Sequence, residues 1–208
     1  MMRTLAIDCA TEACSLALFE GETLLAHEHR LLGRGHAEHL VPMIAALPGR
    51  GRASRILVSR GPGSFTGVRI GLATARALAL AWQAEVLTYP ALALVAATAA
   101  ATHPQLPLGH GVSVAMAAGH GQWFVCDFDG QGLPEGPVRS LAPADAAAGA
   151  RHALVAGSRA EQLLALRGHG TALTLLPEAR RALSLPPDLL GRSTSPEYGR
   201  APDARLPA

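Results

Sequence analysis

The chain has 208 residues, 49% of them hydrophobic and 16% charged, with a formal net charge of +2. That length fits one or two domains, the apolar share excludes a disordered chain, and the small basic excess is below that of a stand-alone nucleic-acid binder. All 18 basic residues are Arg, which excludes a P-loop lysine, a Schiff-base lysine and a lysine general base. Cys9, Cys14 and Cys126 are the only cysteines, and no Cys-x-x-Cys occurs. This argues against a disulfide framework or a Cys-rich zinc site and for a reducing cytosol. Asp8 interrupts the first apolar run, so no signal peptide is expected. The most apolar stretch, 73–101, is broken by Arg76, Gln83, Glu85 and Pro90, and reads as helix, strand and helix rather than a membrane span.

In chain order, residues 5–8 read as a strand ending in a carboxylate. Residues 14–19 alternate and form a second strand, with Gly21 at the turn and a third strand over 23–30. This opening is an antiparallel meander. Leu40, Ile44 and Leu47 fall at helical spacing over 36–47, with Pro42 as a blemish. Residues 56–59 are a buried strand, and a Gly-rich run leads into a helix ending near Trp82. A strand at 85–88 and a helix over 91–102 complete the order βββαβαβα. The segment 103–111, rich in Pro and Gly, divides 1–102, carrying the glycine motif and interface helices, from a smaller unit over 103–208. There, strands are expected at 112–117, 122–128, 138–141, 154–156 and 171–175. Helices are expected around Asp145 and over 161–166, before an extended tail from Ser193. The repeated order suggests an α/β fold of two RNase-H-like lobes, as in the actin, hexokinase and Hsp70 (ASKHA) group, the second reduced.

The most specific feature is the run Gly61-Pro62-Gly63-Ser64-Phe65-Thr66-Gly67-Val68-Arg69-Ile70-Gly71. It is a strand–loop–helix junction. Its helix start could hold a phosphate, or its glycines could serve close packing. Ser64 or Thr66 can cap the helix. Gly67, Gly71, Ala75 and Ala79 form a stripe of small residues spaced by four, flanked by Val68 and Leu72. Such a stripe admits a close helix approach, either within the domain or from a partner.

Residues 6–15 and 61–71 together resemble the TsaB (YeaZ) family. So do the loose His36-Ala37-Glu38-His39-Leu40-Val41-Pro42 pattern and the closing Pro196-Glu197-Tyr198-Gly199-Arg200 segment, which runs on through Pro202, Asp203 and Arg205. The resemblance implies a cytoplasmic, non-catalytic scaffold of the two-lobed fold. It implies pairing with the catalytic TsaD and action with TsaE, using threonylcarbamoyl-AMP supplied by TsaC. The group is transferred to adenosine beside the anticodon of tRNA, with tRNA reached through the complex. It implies no cofactor and no membrane. Homodimerisation uses similar surfaces, and His36, His39, Leu40, Gly67, Val68, Gly71, Leu72, Ala75 and Ala79 become the partner-binding set. The family's acidic and basic second-lobe turn is absent here, where residues 115–124 contain neither sign of charge.

Two other chemistries are weighed. His36 and His39 lie on one helix face, and TsaD-type relatives bind metal through two His on a comparable helix. The i, i+3 spacing does not match a metallopeptidase helix, and no third ligand is evident, although His103 and other histidines could supply one in space. Asp8 is the candidate for residual nucleotide binding in a stand-alone ATPase, or else a turn cap assisted by Thr11 and Ser15. An active member also needs a second carboxylate and a phosphate loop in the second half, where Asp127 and Asp129 are expected past the hairpin, in a turn, and residues 115–121 hold no carboxylate. Arg30, Arg34, Arg50, Arg52, Arg55 and Arg60 form either a phosphate-contacting patch or a solvated face.

Overall fold

A computed structural model describes residues 2–102 and 110–199. The opening meander is β1 (Arg3–Asp8), β2 (Ala13–Glu20) and β3 (Thr23–Leu31), all antiparallel. β4 (Arg55–Ser59) and β5 (Glu85–Tyr89) extend it in parallel, giving the sheet order β3-β2-β1-β4-β5. Parallel neighbours need crossovers, and the helices supply them. These are α1 (His36–Ala46), α2 (Phe65–Trp82) and α3 (Ala91–Thr102). β1 and β2 are buried on both faces, so small residues (Ala6, Ser15, Ala17) alternate with larger apolar ones (Leu5, Ile7, Leu16, Leu18). β3 is the exposed edge, where His27, Glu28, His29 and Arg30 are tolerated.

Ser64 starts α2: its Oγ accepts the Gly67 N–H at 3.2 Å. Gln83 ends the helix in the left-handed conformation. Ser64→Ala is expected to lower the unfolding free energy by about 1 kcal/mol, read as a shifted urea midpoint at constant slope. An unchanged midpoint would show that the cap contributes nothing. α3 is buried nearly all round, and its Ala-rich sequence lets it sit against both sheets.

The second sheet contains β6 (Val112–Gly119), β7 (Gln122–Phe128), β8 (Arg139–Leu141), β9 (Leu154–Ala156) and β10 (Thr171–Leu173). Its order, β10-β9-β6-β7-β8, is that of the first sheet read from the other edge. α4 (Pro143–Gly149) and α5 (Ala160–Arg167) follow β8 and β9, as α1 and α2 follow β3 and β4. β8, β9 and β10 have only 3 residues each, so this lobe is the reduced one. One apolar core joins the lobes, with Leu5, Ile7 and Leu57 from one sheet and Val114, Phe124 and Phe128 from the other.

The elements expected from sequence occur in the expected order. The strand expected through residue 175 stops at Leu173. Short 3-10 segments at Pro48–Gly51, Ala179–Ser184 and Pro187–Leu189 were not expected. The segment 191–199 runs back over the first sheet. Gly191 exchanges two backbone hydrogen bonds with Thr88, at 2.7 and 2.9 Å. Arg60 pairs with Glu197 at 3.1 Å, and Arg76 Nε donates to Thr194 Oγ1 at 3.0 Å. Residues 103–109 of the expected boundary, with His103, lie outside the described residues. So do Arg200, Pro202, Asp203 and Arg205 of the closing motif. Among the described residues, no helix is long and apolar enough to cross a membrane.

Candidate functional site

The glycine run forms the loop between β4 and α2, at the mouth of a cleft between the lobes. Gly61 N–H donates to Ser59 Oγ at 3.3 Å, and Ala91 N–H donates to the Gly61 carbonyl at 2.8 Å. Ser64 N–H donates to the Ala10 carbonyl at 2.7 Å. The Gly61–Pro62 peptide is cis. A Cβ on Gly63 would run into the carbonyl of Ala10, and one on Gly67 into the carbonyl of Cys9. These two glycines therefore exist for close approach to the chain leaving β1.

The small stripe has the same destination. A Cβ on Gly71 would lie 3.6 Å from Cys9 Cβ and from Val58 Cγ2. Gly67, Val68, Gly71, Leu72 and Ala75 are all buried, while Ala79 is half-buried. The spacing serves contact between α2 and the chain's own sheet. Gly71→Leu would therefore test folding, not pairing. Leu40 is buried too, and His36 is buried with Nε2 3.2 Å from the Ala13 carbonyl. Of the assigned set, His39 is the fully exposed member. His36 and His39 thus do not converge, and among the described residues no group of three or more His, Cys, Asp or Glu could hold a metal ion.

The outward faces of α1 and α2 are different residues. α1 exposes Val41, Pro42, Ala45 and Ala46, and α2 exposes Ala73, Ala77, Leu80 and Ala81. Leu80 is 86% and Val41 54% exposed. The two helices pack side by side.

Asp8 ends β1 and is fully buried. Its Oδ1 accepts the Ala10 N–H at 2.9 Å, while Oδ2 has no hydrogen-bond partner among the described residues. The Tyr89 hydroxyl donates instead to the Ile7 carbonyl at 2.8 Å. Burial pushes the Asp8 carboxyl up to about 7, against the opposing pull of the Ala10 amide and the Ser59 and Tyr89 hydroxyls. Of the two expected helpers, Thr11 accepts the Ala13 N–H at 3.2 Å, and Ser15 Oγ accepts Ala179 N–H at 2.8 Å. Cys9 and Cys14 face each other, their sulfurs 3.7 Å apart and both buried.

Asp127 is buried and receives Ser113 Oγ–H, an Arg139 N–H at 3.1 Å and the Arg151 backbone N–H at 3.2 Å. Asp129 Oδ1 accepts the N–H groups of Gln131 and Leu133, both at 2.9 Å. Both carboxylates are thus spent on local structure. The six arginines are dispersed. Arg55 and Arg60 stand at opposite ends of β4, about 16 Å apart by strand rise. Arg60 pairs with Glu197 and Arg30 with Glu28.

A cavity of about 860 Å³ opens between the lobes. Leu92 and Val95 of α3 line it, together with Met116 of β6 and Phe124 of β7. Phe65, Arg69 and Tyr198 meet at its rim. The two rings stack with centroids 5.1 Å apart, and Arg69 Cζ lies 3.7 Å above the Phe65 ring. Arg69 Nε donates to the Tyr198 hydroxyl at 2.9 Å. Sequence reading took Arg69 as part of the glycine motif and missed this role, because its partner lies 129 residues away.

Two five-stranded sheets of one shared strand order, facing each other across a cleft, make this an α/β protein of two RNase-H-like lobes, the ASKHA arrangement. The profile of the family described as "TsaD: tRNA N6-adenosine threonylcarbamoyltransferase" matches residues 30–174. The chain is similar to the solved structure of YeaZ from Pseudomonas aeruginosa, with a TM-score of 0.76 and 30% identity over 89% of this chain and 90% of that one. It is 46% identical over 84 residues to the tRNA threonylcarbamoyladenosine biosynthesis protein TsaB of Escherichia coli (strain K12), covering 38% of this chain and 36% of that protein. It is 37% identical over 105 residues to the protein of the same name from Haemophilus influenzae, covering 48% of this chain and 44% of that protein. The aligned part thus spans less than half the length of these curated relatives. The chain belongs to the TsaB (YeaZ) family.

Proposed function

We propose that the chain is a non-catalytic subunit in tRNA threonylcarbamoyladenosine biosynthesis. It pairs with a TsaD-type catalytic partner, works with TsaE and meets tRNA through the complex, in the cytoplasm. Family membership supports the pathway. The observation that carries the pairing is the outward face of α1 and α2, where Leu80 is 86% exposed beside Ala77 and Ala81. A large apolar side chain amid small ones suits a helix-on-helix contact. The same face can serve a second copy of this chain when the partner is absent.

The test is light scattering on the chain mixed with TsaD from the same organism. The wild type is expected to give a new heteromeric species. Leu80→Glu combined with Val41→Glu is expected to weaken it by at least about a hundredfold, because two apolar anchors are lost and two charges are desolvated. Both sites are exposed, so the melting temperature should hold. An undiminished complex would move the interface elsewhere. No transfer by the chain alone, and transfer by the reconstituted set, is the expected activity pattern.

A further inference from the structure

That reading leaves the inter-lobe cavity without a role. We propose that it binds a small organic anion with a planar apolar body and a single negative charge. Its lining includes the apolar side chains of Leu92, Val95, Met116 and Phe124. A cavity of about 860 Å³ has room for a ligand of two fused rings and its substituents. The rim supplies the selectivity. Phe65 is 54% exposed although it borders a concave surface, so part of the ring remains open to a ligand. Arg69 lies against that ring, fixed by its Nε hydrogen bond to Tyr198. Its two terminal nitrogens make no hydrogen bond or ion pair among the described residues. A guanidinium already held in place loses little freedom when it takes a carboxylate or sulfonate. Among the described lining residues, Glu12 is the one acid and Arg69 the one arginine, with His120 also on the rim. One arginine opposed by one carboxylate suits a single charge and opposes a polyphosphate.

The test uses 1-anilinonaphthalene-8-sulfonate, a planar anion that fluoresces in apolar surroundings, titrated into the full folded chain. One blue-shifted site per chain is expected. Arg69→Gln is expected to weaken binding about tenfold, by loss of a charged hydrogen-bond donor. Ala117→Trp, at an exposed lining position, is expected to abolish it by filling the space. Leu166→Gln, at an exposed apolar position of α5 outside the cavity lining, should leave it intact. 2-Naphthoate should displace the dye and pyrophosphate should not. Three results would overturn the proposal: no stoichiometric binding, displacement in the reverse order, or a signal lost in Leu166→Gln but kept in Arg69→Gln. Melting curves confirm that each variant is folded, and Arg69→Gln decides the matter alone if Ala117→Trp does not fold.

Discussion

Asp8→Asn is expected to stabilise the chain at about pH 8 by on the order of 4 kcal/mol, and to change it little near pH 4. The carboxyl is raised to about 7 from 3.8, chiefly by burial. Between about pH 4 and pH 7 the folded chain therefore holds a proton that the unfolded chain has released. The unfolding free energy falls as pH rises through this window and levels off above about 7. Asn keeps an acceptor for the Ala10 N–H and removes the ionisation. Other groups titrate in the same range, so the informative quantity is the difference between variant and parent, from urea unfolding at several pH values. A difference that stays constant with pH would show that Asp8 ionises freely in the fold. Whether the variant still supports the reconstituted transferase is a separate reading. Full activity with gained stability would mark Asp8 as a remnant of the fold rather than a working residue.

Gly67→Ala is expected to destabilise the chain by about 3 kcal/mol or more, while Gly71→Ala should shift it by less than about 1 kcal/mol. Helix propensity predicts the opposite for both, since Ala is better than Gly inside a helix by about 1 kcal/mol. Space decides. A Cβ on Gly67 meets the Cys9 carbonyl, part of a main chain pinned between β1 and β2. A Cβ on Gly71 makes ordinary contacts at 3.6 Å. Equal midpoints for the two variants in urea would remove the close-approach account of the motif.

The first lobe was legible because each of its elements has its own local signal. Period-2 alternation marks β2, an unbroken apolar run marks β4, and glycines and Ser64 mark the start of α2. The 3-10 segments near the end were not legible, since so short a segment has no period to detect. The direction of the small stripe was not legible for a deeper reason. Spacing by four puts Gly67, Gly71 and Ala75 on one face, whether that face meets a partner or its own sheet. Only the position of Cys9 and Val58 settles it. The arginine cluster was legible only as a run in sequence, because β4 carries Arg55 and Arg60 to its opposite ends although they are close in sequence. The rim of the cavity needed contacts across more than a hundred residues, which no local pattern carries.

The returning segment has a consequence for how the chain is made. Thr88 and Arg60 find their partners 103 and 137 residues further along. A ribosome emitting residues at about 5–20 per second releases the first lobe's strands many seconds before Gly191 and Glu197 exist. During that interval the outer side of β5 has no neighbour, and an unpaired strand edge is an aggregation hazard. The nascent first lobe is thus a half-finished sheet, closed only by the far end of its own chain.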